Sequence, residues 1–206
     1  TRIGVVGHSR ASKAALWCGA TDERFALTVP NNSGVFGTSL SRNRTGQTLK
    51  VFLASVGFRV CGNAQKYSNN EEALPIDQHE ALALVAPRLL YPTTSSTDDW
   101  GDPKGQFLSV VHAEPVYQLF GLQGPGISTY PTPGTASTYH DGALGWHLKD
   151  GGHDLGTYEW TRIMDFMDIH DRPSVSVIAL DDTATENSVD TAALQFTRTG
   201  ATDAAL

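Results

Sequence analysis

Residues 3–11 read Ile-Gly-Val-Val-Gly-His-Ser-Arg-Ala, and this stretch decides the fold. Residues 2–6 predict a short buried strand, and residues 10–20, which are rich in helix-forming residues, predict a helix directly after a sharp turn. Residues 25–30 predict the next strand. A strand, a helix and a second strand in this order form a right-handed crossover, so the sequence predicts a parallel sheet.

The chain continues to alternate helices and strands up to about residue 173. Further helices are predicted over 76–86, 105–121 and 158–170, and further strands over 88–94 and 143–148. Loops rich in Gly, Ser, Pro and Thr separate these elements. This order predicts an α/β protein, a three-layer αβα sandwich around a mostly parallel sheet.

The composition changes after Arg172-Pro173. Residues 174–206 are rich in Thr, Ala, Asp and Val, and the patterns at 175–179 and 194–200 predict two β-strands. We therefore expect a domain boundary near residue 173, which gives an α/β domain over 1–173 and a β-rich tail over 174–206. The tail resembles the beginning of a Calx-β-like repeat.

Composition and charge exclude several classes of partner. The chain has 206 residues, a formal net charge of −7 and 15 scattered lysines and arginines. Nucleic-acid binding needs a basic face, so we expect no nucleic-acid partner. No apolar stretch reaches the roughly 18 residues that span a bilayer, so we expect no membrane partner. The chain opens in a strand-like run without Met or a signal peptide, and we expect it to be cut from a longer protein.

Metal chemistry has no signature in the sequence. The two cysteines, Cys18 and Cys61, show no CxxC or Cys/His spacing of the kind that binds a metal. We expect neither a metal nor a cofactor.

The turn at Gly7-His8-Ser9-Arg10-Ala11 is the first candidate for chemistry. In α/β-hydrolases the nucleophile lies on a tight turn from strand to helix, and the residue after it donates its backbone N–H to the oxyanion. Ala11 replaces the usual second glycine of this G-x-S-x-G pattern. Ser9 is therefore a candidate nucleophile, and the alternative is that Ser9 only caps the helix.

A serine nucleophile needs a base and an orienting acid, which follow in the chain order Ser, acid, His in this fold. His153 lies in a Gly-rich turn after the last predicted strand and is the candidate base. Asp98 and Asp99 lie on the loop after the strand at 88–94, and one of them is the candidate acid. The alternative for both aspartates is that they belong to a solvated loop or cap a helix.

With these residues in place, residues 1–170 resemble glucuronoyl esterases, carbohydrate esterase family 15, without the N-terminal part of the fold. The matching segments are 7–10, 13–17, 22–26, 32–34, 40–42, 74–79, 86–88, 100–108 and 151–155. The resemblance implies an α/β-hydrolase fold and cleavage of the ester that joins glucuronic acid on xylan to lignin alcohols. It implies a serine nucleophile and no metal.

The resemblance also implies roles for individual residues. Ser9 and His153 match the nucleophile and base, and Arg10 matches an arginine that stabilises the oxyanion. Lys13 and Trp100 match a lysine and a tryptophan that bind the sugar. Their alternatives are a solvated helix lysine and a loop aromatic that covers the core.

Two departures from the family bear on activity. Asn32 stands where many members carry the Glu acid, and Asp98 occupies the place of the acid in other bacterial members, two residues before the tryptophan. The expected triad is therefore Ser9, His153 and Asp98. Gln47 stands where a sugar-binding Glu is usual; it keeps hydrogen bonding but loses the charge.

The resemblance implies a secreted or periplasmic enzyme that acts on glucuronoxylan or another uronate-containing carbohydrate ester, and we expect a monomer. Two alternatives remain open. One is an esterase of the same fold that acts on another acyl ester, and the other is a carbohydrate-binding module with an impaired site.

Overall fold

A computed structural model describes residues 3–171, 174–181 and 193–199 of the chain. The chain divides into two compact units, Thr1–Phe166 and Met167–Leu206.

A six-stranded sheet forms the centre of the first unit. Its strands follow the order β1-β2-β4-β6-β5, and β3 pairs with β2 beside β4. All pairs are parallel except β5 with β6, which confirms the predicted mostly parallel sheet. The strands are β1 (Ile3–His8), β2 (Phe25–Asn31), β3 (Leu89–Leu90), β4 (Thr93–Ser95), β5 (Ser137–Tyr139) and β6 (Trp146–Lys149).

Five α-helices accompany these strands in the described part of the chain. They are α1 (Arg10–Thr21), α2 (Leu49–Val56), α3 (Gln78–Ala83), α4 (Pro103–Leu119) and α5 (Thr157–Asp171). Short 3-10 helices cover Ser41–Asn43, Gly57–Arg59, Gly62–Tyr67, Glu71–Ala73 and Asp99–Gly101.

The two faces of the sheet bury separate apolar clusters. On one face, α1, α3 and α4 contribute Leu16, Leu82 and Phe107 to a core that also contains Trp146 of β6. On the other face, Ile163 and Phe166 of α5 pack with buried residues of β2. Consecutive residues of β2 and β6 are buried, because helices cover both faces of the parallel sheet and neither face is in contact with water.

Several predicted boundaries differ from the structure. The strand predicted over 88–94 is two short strands, because Pro92 between them has no N–H to donate to a neighbouring strand. The helix predicted over 76–86 is regular only over Gln78–Ala83. Helix α2 and strand β5 were not predicted from the sequence.

The described residues beyond 173 form β7 (Ser174–Asp181) and β8 (Ala193–Thr199), which pair antiparallel. This confirms the two strands predicted from the patterns at 175–179 and 194–200. The proposed boundary at residue 173 and the Calx-β-like character of the tail stay predictions.

Candidate active site

The candidate site lies where parallel strands end at one edge of the sheet. Ser9 follows β1, Asn32 follows β2, Asp98 follows β4 and His153 follows β6. Because the carboxyl ends of parallel strands share an edge, the topology brings these residues together from positions far apart in sequence.

Ser9 occupies a strained turn between β1 and α1. Its φ and ψ are 56° and −116°, in the left-handed half of backbone space that residues other than glycine rarely adopt. Strain of this kind concentrates at functional sites. The Ser9 N–H donates to the Asn31 carbonyl at 3.0 Å, whereas its side chain makes no capping hydrogen bond to the helix. The structure therefore gives no support to the alternative that Ser9 only caps α1.

Gly7 makes the tight turn possible. A Cβ atom at Gly7 would lie 2.3 Å from the carbonyl oxygen of Ala11, which is far inside van der Waals contact. Strand β1 and helix α1 approach this closely only because residue 7 has no side chain. Alanine can replace the second glycine of the G-x-S-x-G pattern at position 11, because Gly7 is the residue whose missing side chain permits the close approach.

His153 and Asp98 form a hydrogen-bonded pair. The Nδ1 atom of His153 lies 2.8 Å from Oδ2 of Asp98, and the two side chains are 41% and 5% exposed. A carboxylate at this distance fixes Nδ1 as the protonated nitrogen and leaves Nε2 free to accept a proton. Asp98 makes this contact, whereas its neighbour Asp99 is exposed.

All of the residues predicted for the site line one cavity of about 370 Å³. These are Ser9, Arg10, Lys13, Gln47, Asp98, Trp100 and His153. The structure therefore brings together every side chain to which the sequence assigned chemistry or sugar binding.

Two alternatives about the predicted sugar-binding residues are not supported by the structure. Trp100 is 58% exposed and faces the cavity, so it is not a loop aromatic that covers the core. Lys13 is not a freely solvated lysine, because it is half-buried and its Nζ donates to the Ser33 carbonyl. Burial, and then the nearby Arg59 guanidinium, lower the pKa of Lys13 to about 8, and Asp98 raises it only in part.

Asn32 lies in the cavity wall, where its side chain makes hydrogen bonds that connect neighbouring segments. It is buried, and its Nδ2 donates to Ser95 Oγ at 2.9 Å and to the Asp154 carbonyl at 3.1 Å. These bonds tie the ends of β2 and β4 to the loop of His153. An amide carries no negative charge to stabilise a charged imidazole, and Asp98 is the carboxylate that accepts the His153 Nδ1–H, so Asp98 is the residue placed to orient the histidine.

The histidine loop is anchored by a buried ion pair. Lys149 Nζ lies 2.6 Å from Glu159 Oε1, and Glu159 Oε2 accepts the Gly156 N–H at 2.8 Å. The Glu159 side chain is 1% exposed. The loop between these partners carries His153, so the ion pair restricts where the imidazole can lie.

Several residues that line the cavity were not predicted from the sequence. Arg59, Phe52 and Val56 come from α2 and the turn after it, in a segment for which no element was predicted. His8 lies next to the cavity, since its ring is 4.7 Å from the His153 ring, centroid to centroid. A predicted helix over 49–56 would have been the signal that brought this segment to the site.

The described residues contain no cluster of three or more His, Cys, Asp or Glu side chains that could hold a metal ion. Cys18 and Cys61 are both unpaired. Within the described part of the chain, no helix is long and apolar enough to cross a membrane.

Comparison with known sequences relates the chain to carbohydrate esterases. A family model described as glucuronyl esterase of fungi matches residues 1–121. The carbohydrate esterase MZ0003 of an unknown prokaryotic organism is 38% identical over 169 residues, which is 82% of this chain and 38% of that protein. The 4-O-methyl-glucuronoyl methylesterase 1 of Phanerochaete chrysosporium is 36% identical over 59% of this chain and 27% of the relative.

Solved structures give the same relationship. A promiscuous CE15 esterase from a marine bacterial metagenome superposes with a TM-score of 0.76 at 39% identity, over 81% of this chain and 41% of that structure. A glucuronoyl esterase from Solibacter usitatus gives 0.73 at 38% identity, over 81% and 42%. The likeness confirms the predicted α/β-hydrolase fold. The chain spans about two fifths of the length of these relatives, or less.

Proposed function

The chain belongs to the glucuronyl esterase family, and from this membership we propose that it carries the catalytic site of a serine esterase. The reaction is hydrolysis of esters of glucuronic or 4-O-methylglucuronic acid, such as the links between lignin and glucuronoxylan. The observation that carries the proposal is the hydrogen bond from His153 to Asp98 in a cavity that Ser9 also lines.

The proposed reaction has two steps. Ser9 Oγ attacks the ester carbonyl carbon while His153 Nε2 takes its proton, and the tetrahedral intermediate then expels the alcohol, which receives that proton. Water attacks the acyl-serine in the same way, and the uronic acid leaves as a carboxylate. Asp98 orients the imidazole and stabilises its charged form throughout.

Arg10 is assigned to stabilising the oxyanion of the tetrahedral intermediate. Its backbone N–H follows the nucleophile directly, and its guanidinium lines the same cavity, so both can donate where negative charge develops. The negative charge on the intermediate is absent from the neutral ester, so these donors favour the transition state over the substrate.

The sugar ring is assigned to Lys13, Gln47 and Trp100. The exposed indole offers a flat face and an N–H, and the lysine and amide offer hydrogen bonds to hydroxyls. Gln47 is held next to Trp100, because its backbone N–H donates to the Trp100 carbonyl at 2.8 Å. This arrangement orients the uronate so that its ester reaches Ser9.

The proposal includes the setting of the enzyme. We place the catalytic domain at 1–173 and a separate β-rich tail at 174–206, in a secreted or periplasmic monomer that acts on uronate-containing polysaccharide. The negative net charge of −7 fits a protein without a nucleic-acid partner.

The test is release of alcohol from methyl and benzyl glucuronate by the full-length protein, beside acetyl and feruloyl esters of neutral sugars. Turnover of the uronate esters that disappears in Ser9→Ala supports the proposal. A rate for Ser9→Ala equal to that of the wild type contradicts it.

A second candidate is an esterase of the same fold with wider substrate use. One structural relative is described as promiscuous, and Gln47 is a neutral residue in the sugar site of this chain. Faster hydrolysis of acetyl or feruloyl esters than of uronate esters would favour this candidate. Binding of glucuronoxylan fragments with no turnover of any ester would indicate an impaired, binding-only site.

A further inference from the structure

Arg59 is a cation in the cavity for which the proposed reaction has no use. It ends the 3-10 turn Gly57–Arg59 after α2 and lines the same cavity as Ser9 and His153. Its guanidinium lies 5.2 Å from the centroid of the neighbouring Phe58 ring, and it makes no ion pair with any described residue. Its charge is therefore available to a ligand.

The charges that line the cavity are unbalanced. Arg10, Lys13 and Arg59 are cations, whereas Asp98 is the one carboxylate among the described lining residues. Asp98 is already engaged by His153. The cavity therefore carries an excess of positive charge although the protein as a whole carries −7.

Lys13 and Arg59 line the same cavity, and their like charges repel each other. After burial, Arg59 is the largest influence that lowers the pKa of Lys13 to about 8, and the opposing influence of Asp98 is smaller. An anion between the two cations would relieve this repulsion and form charge-assisted hydrogen bonds.

We propose that Lys13 and Arg59 bind an anionic group, a carboxylate or sulfate, on the sugar next to the one that carries the ester. The site would then select esters of acidic saccharides over esters of neutral ones. This inference rests on the proposed esterase function and deepens it. The scissile ester itself is neutral, and Arg10 is assigned to its oxyanion. Arg59 has no role in the proposed reaction, and Lys13 has three donors, of which the Ser33 carbonyl accepts one and a ring hydroxyl can accept a second. The free charge of Arg59 and the third donor of Lys13 therefore point to a second, anionic group on the substrate.

The test compares two disaccharide substrates of the same linkage. In both, the reacting unit is glucuronate methyl ester; in one the neighbouring sugar is a uronic acid with a free carboxylate, and in the other it is the corresponding neutral sugar. We expect the full-length protein to show at least about tenfold higher kcat/KM on the acidic substrate at pH 7 and low salt. Added NaCl should reduce the preference, because salt screens the attraction at this exposed site.

Arg59→Gln should reduce that preference to less than about threefold, because it removes one of the two charge-assisted contacts. The matched control is Lys66→Gln, which makes the same charge change on an exposed residue that does not line the cavity. The control should keep the wild-type preference.

Two results would overturn the inference. One is equal kcat/KM of the wild type on the two substrates, and the other is an equal loss on both in Arg59→Gln. In the first case, relief of inhibition by free glucuronate in Arg59→Gln would show that the cations hold the product carboxylate instead.

Failure of the esterase proposal gives a different result, since neither substrate is then hydrolysed. Calorimetric titration with the two unesterified disaccharides tests the inference in that case. Tighter binding of the acidic one, lost in Arg59→Gln, supports anion recognition, and equal or undetectable binding of both contradicts it.

Discussion

Replacement of Asp98 by Asn tests which carboxylate orients the histidine. The substitution keeps the shape of the side chain, which matters because Asp98 is 5% exposed and Oδ2 lies 2.8 Å from His153 Nδ1. An amide removes the negative charge that stabilises the imidazolium. Its NH₂ can also donate to Nδ1, which places the ring proton on Nε2, where the ring can no longer accept from Ser9.

We expect Asp98→Asn to lower kcat on methyl glucuronate by about 10³- to 10⁴-fold, or roughly 4–5.5 kcal/mol of transition-state stabilisation. KM should change far less, because Asp98 acts through His153. The assay is methanol release at pH 7, with circular dichroism of both proteins to show that the variant is folded.

The neighbouring carboxylate provides the control. Asp99 is exposed and lies outside the hydrogen bond to His153, so Asp99→Asn should retain kcat within about threefold. Wild-type activity in a folded Asp98→Asn protein would refute the reasoning. An equal loss in Asp99→Asn would refute it as well, because the orienting role would then not belong to Asp98.

Three further predictions concern the support of the site. Gly7→Ala should cost about 1–3 kcal/mol or more of stability and abolish activity, because the new Cβ would lie 2.3 Å from the Ala11 carbonyl; urea denaturation measures this. Lys149→Met should lower the free energy of unfolding by about 3–5 kcal/mol, because it leaves the buried Glu159 charge unpaired, and thermal unfolding would show the loss. Burial lowers the pKa of Lys13 from 10.5 to about 8, so its contribution to stability rises with pH between these values. Lys13→Met should therefore be more stable than the wild type at pH 7, by a margin that shrinks at pH 9.

Each of these predictions has its own control. Gly4→Ala places a Cβ at ordinary contact distances of 3.5 Å or more and should leave stability almost unchanged. Arg24→Met removes one partner of an exposed ion pair and should matter far less than Lys149→Met. For Lys13, a stability difference from the methionine variant that does not change between pH 7 and 9 would contradict the lowered pKa.

The sequence predicts the parts of the site that follow regular strands. Ser9 and His153 could be located because a strand pattern precedes each and the chain order of the fold fixes their roles. The residue pattern alone narrows the acid to Asp98 or Asp99, since the hydrogen bond from His153 depends on how the loop after β4 folds, and only the family resemblance selects Asp98. Side-chain direction in a loop is set by tertiary contacts, which local patterns do not encode.

The region between β2 and α3 could not be predicted. Residues 32–77 form short helices whose apolar residues, such as Leu49 and Phe52, pack into a separate small cluster. No periodic pattern is long enough there to indicate α2, so nothing indicated that Arg59 would reach the cavity of Ser9. The broken strand at Pro92 was missed for a related reason, because the apolar run alone does not show where pairing stops.

The central claim is that Ser9 is the nucleophile activated by His153. The most direct measurement is the site of reaction with a serine-directed fluorophosphonate, located by peptide mass spectrometry on the full-length wild type and on His153→Ala. The account predicts a single adduct on Ser9 that forms far more slowly when His153 is absent. An adduct on another serine, or labelling of Ser9 at the same rate without His153, would contradict it.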